Sequence, residues 1–175
     1  MTYNASTLLK SRRNRTSEHD TSITTHEGIN TSTYAQINSS VITFTPTSAA
    51  TNIIYRYTCY INPYQATGPT GRNCRTHFRL QVDSGGGFSD IAGCESNEIF
   101  ESAASAPMCQ RLLTLRFSVA VSTGSRQYRL IAKSFSSAYQ SALHWTHFWS
   151  PYARTSGNTS GMRVYYPTVE VRELS

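Results

Sequence analysis

Long hydrophobic runs are missing from this chain. No stretch of about 18 apolar residues occurs and no basic-then-apolar leader follows Met1, so neither a spanning helix nor a secretory signal is expected. The chain is expected to be made and used in a cytosol, or released with whatever it is assembled into. Helix-building runs of Ala, Leu, Glu and Lys are missing too, which leaves no long amphipathic helix. Charged residues reach only 15% and hydrophobic residues 38%, both low for a globular protein. The four cysteines, Cys59, Cys74, Cys94 and Cys109, contain no C-x-x-C pair, so zinc-ribbon and thioredoxin-type chemistry have no starting point. They read as buried thiols, because a bridge needs an oxidising compartment and a matching Cα separation that nothing in the sequence supplies.

What the chain does have is serine and threonine, about a quarter of 175 residues, and eleven tyrosines. Thr, Tyr, Val, Ile and Phe recur in short blocks between turn residues, the composition of strands on a half-buried surface. The blocks fall at residues 34–45, 52–61, 74–83, 88–92, 111–121, 126–135, 142–150 and 162–173. Thr45-Pro46-Thr47-Ser48, Gly68-Pro69, Ser84-Gly85-Gly86-Gly87, Ser122-Thr123-Gly124 and Gly157-Asn158 separate them. About eight strands at this spacing predict an all-β antiparallel sandwich or jelly roll over residues 33–175. Alternation supports individual strands: Phe78, Leu80 and Val82 share one face, with His77, Arg79, Gln81 and Asp83 on the other. Pro167 in the last block points to an edge strand or a bulge.

Residues 1–32 differ. They carry few apolar side chains beyond Tyr3, Leu8, Leu9 and Ile23 and hold the basic cluster Lys10, Arg12, Arg13 and Arg15. Such a segment cannot bury enough apolar surface to fold alone, so it is expected to be an extended arm that docks on a partner. The net charge of +6 could also serve nucleic acid. Outside the arm, however, arginines are scattered singly among tyrosines, a pattern that favours protein docking over DNA contact.

The stretch "SALHWTHFW" at 141–149 is the densest candidate site. On a helix His144 and His147 would share a face and could hold a metal together; on an unbroken strand they point to opposite faces. The strand reading places Trp145, Phe148 and Trp149, with Tyr165 and Tyr166, at a core or subunit interface. Asp83-Ser84-Gly85-Gly86-Gly87 lacks the Lys-Ser/Thr of a phosphate loop and reads as a hairpin turn. Glu95, Glu98 and Glu101 read as a solvated acidic loop. No nucleophile elbow of the G-x-S-x-G type is present. No catalytic residue, metal or cofactor is expected.

The run at 39–55, "SSVITFTPTSAATNIIY", resembles the opening of structural β-sandwich domains of tailed bacteriophages, of the marine and cyanophage type. Residues 55–60, 77–83, 143–146 and 167–171 follow in the order seen in those proteins, so the resemblance spans roughly 35–173 and leaves out the arm. It implies a non-enzymatic virion protein, a capsid-decorating or cementing module or a tail-fibre knob, with other virion proteins as partners and a homotrimeric state. The chain departs from the pattern at residues 86–108, expected to be an extra-long loop carrying Cys94 and reaching Cys109. Two other classes stay open. One is a receptor- or carbohydrate-binding tail-fibre module for host-surface glycans, with Tyr60, Tyr64 and Tyr152 stacking on sugars. The other is a hydrolase on the same scaffold, and fold alone does not separate them.

Overall fold

Why the chain forms two sheets is clearest in its central strand. Along β5 (Asn52–Pro63), Ile53, Tyr55, Tyr57, Cys59 and Ile61 are completely buried, while Arg56 between them is exposed. That two-residue period fixes one face to the core, and a one-residue slip would put five large side chains into water. The computed structural model describes residues 15–19, 27–29, 31–47, 52–63, 72–102, 111–120, 123–135, 141–147, 162–164 and 166–174. Around β5 the strands are β1 (Arg15–His19), β2 (Glu27–Ile29), β3 (Ala35–Gln36), β4 (Ile42–Phe44), β6 (Arg72–Asp83), β7 (Phe88–Ser102) and β8 (Arg111–Ala120). The rest are β9 (Arg126–Ser134), β10 (Ser141–Leu143), β11 (Trp145–His147), β12 (Met162–Val164) and β13 (Thr168–Leu174). A 3-10 turn, Asn38–Ser40, is the sole helical element among the described residues.

The first sheet runs β1-β13-β5-β10-β2, with β8 also on β5. Ile61 pairs with both Arg111 and Leu143, so β8 holds one edge of β5 while β13 and then β10 share the other. The second sheet runs β3-β9-β6-β7, with β4 also on β9, and β11 and β12 make a separate pair. All pairings are antiparallel. Between the sheets Phe78, Leu80, Tyr128 and Leu130 meet the inner face of β5 together with Leu113, Leu115, Phe117, Val169 and Val171. This is the all-β sandwich that strand spacing predicts.

Several boundaries differ from the sequence reading, each for a physical reason. The first block is one edge interrupted by the 3-10 turn, because the hydroxyl of Ser40 replaces a backbone group in the ladder. Its Oγ accepts from Leu130 N–H at 2.8 Å and donates to the Ile37 carbonyl at 2.6 Å. Residues 86–108 do not form one long loop: β7 continues to Ser102 and pairs along β6, with Glu95, Glu98 and Glu101 on that strand. Its alternation is hidden by a wide bulge in which residues 91–94 lie opposite Leu80 alone, and Gly93, at φ 75, supplies the left-handed turn. The β6–β7 hairpin loop is as expected, with Asp83 Oδ1 accepting from the N–H groups of Gly85 and Gly87 at 2.7 and 2.9 Å. Pro167 does not mark an edge: it precedes β13, which lies between β1 and β5.

The boundary at residue 33 does not separate an arm from a body. β1 pairs with β13 from Arg15↔Arg172 to His19↔Thr168, and β2 pairs with β10. Ile29 belongs to the core. A polar segment that cannot fold alone is completed here by backbone pairing to two strand edges, which no hydrophobic pattern reports.

Candidate functional site

Two clusters of side chains stand out. The first forms where β10 ends. His144 adopts φ 66, the one left-handed non-glycine among the described residues. Its N–H donates to the Tyr60 carbonyl at 2.9 Å, and its ring is completely buried. Its Nε2 lies 3.3 Å from Ser39 Oγ, 3.4 Å from the Tyr57 hydroxyl and 3.5 Å from Glu27 Oε2. Ser39 and Tyr57 share a hydrogen bond of 2.7 Å, and the Asn38 N–H donates to both Glu27 oxygens at 3.2 and 3.3 Å. Burial pushes the Tyr57 hydroxyl well up, and the Cys59 thiol next along that face is raised by burial and then by the charge of Glu27.

Serine, histidine and a carboxylate thus meet, but not as a relay. A nucleophile–base–acid chain needs the hydroxyl and the carboxylate on opposite ring nitrogens. Here both face Nε2, and Nδ1 is buried with no hydrogen-bond partner. The cluster joins β2, the 3-10 turn, β5 and the end of β10, which makes it a polar tie inside the sandwich. Face parity along 142–150, expected to set the two histidines apart, does not apply, since His144 breaks the strand and β11 leaves to pair with β12. Among the described residues no group of three or more His, Cys, Asp or Glu could hold a metal ion.

The second cluster covers the outer face of the second sheet. Register places Arg129, Gln81 and Asp90 in one row, Arg79 and Glu95 in the next, then Lys133, His77 and Asn97, then Arg75 and Ile99 with Phe135 alongside. Tyr34 lies across the middle rows: its ring is 4.6 Å from the Arg79 guanidinium and 4.7 Å from Lys133 Nζ, and its hydroxyl bonds His77 Nδ1. Arg79 contacts Asp90 at 2.9 Å and Glu95 at 3.0 Å, and Glu95 also meets His77 Nε2 at 3.1 Å. Arg129 stacks on Phe88 at 3.7 Å while donating to Gln81 and Gln36 at 2.8 and 2.7 Å. Partner groups fix the guanidinium groups of Arg79 and Arg129, so this part of the face is a rigid lattice. Sequence reasoning named His77, Arg79 and Gln81 as the wet face but missed Tyr34 and the length of β7 that completes it.

Of the residues singled out in the sequence, Arg15 opens β1 and Trp145 opens β11; only their backbone pairing is described. Tyr60 is half-buried on the outer face of β5, opposite Leu112, and Tyr166 is 39% exposed. Lys10, Arg12, Arg13, Tyr64, Phe148, Trp149, Tyr152 and Tyr165 lie outside the described residues, as do Cys74 Sγ and Cys109. Cys59 and Cys94 are free and buried. Among the described residues no helix is long and apolar enough to cross a membrane.

No protein-family model and no curated protein matches the chain. Among solved structures, Eiger TNF from S. frugiperda is similar at a TM-score of 0.33 and 8% identity, covering 93% of this chain and 94% of that chain. A likeness at this level carries no inference about function.

Proposed function

We propose that the chain is a non-enzymatic structural protein of a phage virion, a β-sandwich that decorates or cements the capsid or tail. The observation that supports the non-enzymatic part is the alignment of the cluster at His144. There Ser39 and His144 are buried, and both the hydroxyl and the half-buried Glu27 carboxylate face the same ring nitrogen, an arrangement wrongly aligned for catalysis. The phage part rests on the resemblance of residues 35–173. Docking is assigned to Lys10, Arg12, Arg13 and Arg15, whose charge suits acidic virion surfaces, and a homotrimer follows from the same resemblance. Quantitative peptide mass spectrometry of gradient-purified particles tests this reading: the chain should co-purify at a fixed copy number divisible by three. Its presence only in the host lysate would overturn the assignment.

A further inference from the structure

We infer that the end of the outer face carrying Arg75, Lys133, Asn97, Ile99 and Phe135 is a binding site for an acidic sugar, a pyranose ring bearing a carboxylate. This holds whether or not the chain belongs to a virion. The residues line a cavity of about 280 Å³, with His77 in its floor. That is just below the roughly 300–1,000 Å³ of small-molecule sites, room for one ring rather than a chain of them.

Charge selects the anion. In the middle rows Arg79 is matched by Asp90 and Glu95, so that part of the face is neutralised. Toward the cavity the charge that remains for a ligand is that of Lys133: it lines the cavity, no carboxylate is among the lining residues, and the Arg75 guanidinium there lies 5.9 Å from the Phe135 ring. Lys133 pairs with no carboxylate among the described residues; its ammonium rests over Tyr34 instead. Both ring nitrogens of His77 are occupied, by Tyr34 and by Glu95, so its imidazole serves as a fixed floor.

The walls select the ring. Phe135 is 68% exposed and Ile99 60%, too open to bury an aliphatic side chain, yet suited to the C–H face of a sugar laid against an aromatic. Exposed Asn97 adds an amide that both donates and accepts, as hydroxyl groups require.

The test is an NMR titration of the ¹⁵N-labelled full chain with sodium glucuronate, beside glucose, sulfate and N-acetyl-leucine. Glucuronate should bind with Kd on the order of 1–10 mM, with shifts confined to residues 75–77, 97–99 and 133–135, and glucose at least about tenfold more weakly. Lys133→Gln and Phe135→Ser should each weaken glucuronate about fivefold or more without moving the thermal midpoint, which shows that both variants fold. Equal binding of glucose, equal competition by sulfate, tighter binding of N-acetyl-leucine, or glucuronate affinity unchanged in Lys133→Gln would each overturn the proposal.

Discussion

Tyr57 and Tyr128 provide a matched pair for measuring what the buried polar tie contributes. Both are completely buried on inner strand faces, but their hydroxyls differ. Tyr57 bonds Ser39 at 2.7 Å and approaches His144 Nε2 at 3.4 Å, whereas the Tyr128 hydroxyl is buried with no hydrogen-bond partner. Replacing tyrosine by phenylalanine deletes one oxygen in each case and leaves the ring packing alone. In Tyr57→Phe a satisfied hydrogen bond disappears and Ser39 is left with only the longer contact to His144, a loss of about 1.5 kcal/mol. For a chain of this length that lowers the melting midpoint by about 3–6 °C. In Tyr128→Phe the removed group was already desolvated without compensation, so stability should hold within about 0.5 kcal/mol or rise. Calorimetric melting and urea midpoints of both variants decide the matter. Ser39→Ala combined with Tyr57→Phe should show a coupling of about 1 kcal/mol. If the two single variants melt together, the cluster is not a tie and its geometry has no energetic content.

Alkaline conditions should weaken the fold through Cys59, Tyr55 and Tyr57, whose ordinary values of 9.0 and 10.0 are raised in the folded chain chiefly by burial. The folded state then keeps protons that the unfolded state releases, so stability is level below pH about 9 and falls above it. The slope rises toward about 1.4 kcal/mol per pH unit for each group; urea midpoints between pH 7 and 11 check it. Removing residues 1–32 should lower the melting temperature, since β1, β2 and Glu27 go with them and the buried Ile29 alone is worth about 1.5–3 kcal/mol. A truncated protein that melts like the full chain would show those pairings to be incidental.

The fold was legible wherever hydrophobic alternation is strict. Phe78 and Leu80 on β6, and Leu113, Leu115, Phe117 and Val119 on β8, are buried at two-residue spacing, with exposed residues between those of β8. It was not legible where a strand is held by its backbone alone. β1 reads RTSEH and β2 reads EGI, sequences with no apolar period, and each pairs with a strand edge supplied by residues far along the chain. Breaks are equally silent: no rule of periodicity says that Ser40 will enter the ladder of β9 or that His144 will turn left-handed. The candidate sites follow the same division. The wet row of β6 could be read from alternation, but the partners that organise it, Tyr34, Asp90 and Glu95, come from other strands through register, which is a tertiary property.

The integration of residues 15–29 changes what an anchor could be. If docking uses the basic cluster, Arg15 is the member whose backbone is already paired, to Arg172, while Lys10, Arg12 and Arg13 lie outside the described residues. Residues 1–14 would span about 46 Å if fully extended, at about 3.3 Å per residue. β1, which follows them, is fixed on β13, which sits beside β5 in the middle of the first sheet. A load on such an anchor would pull on the β1–β13 ladder rather than on a loose linker, so attachment and fold stability are mechanically linked. Charge reversal at Lys10, Arg12 and Arg13 would therefore weaken docking while leaving melting unchanged. Truncation past His19 would lower both, and that difference separates an anchor from a structural strand.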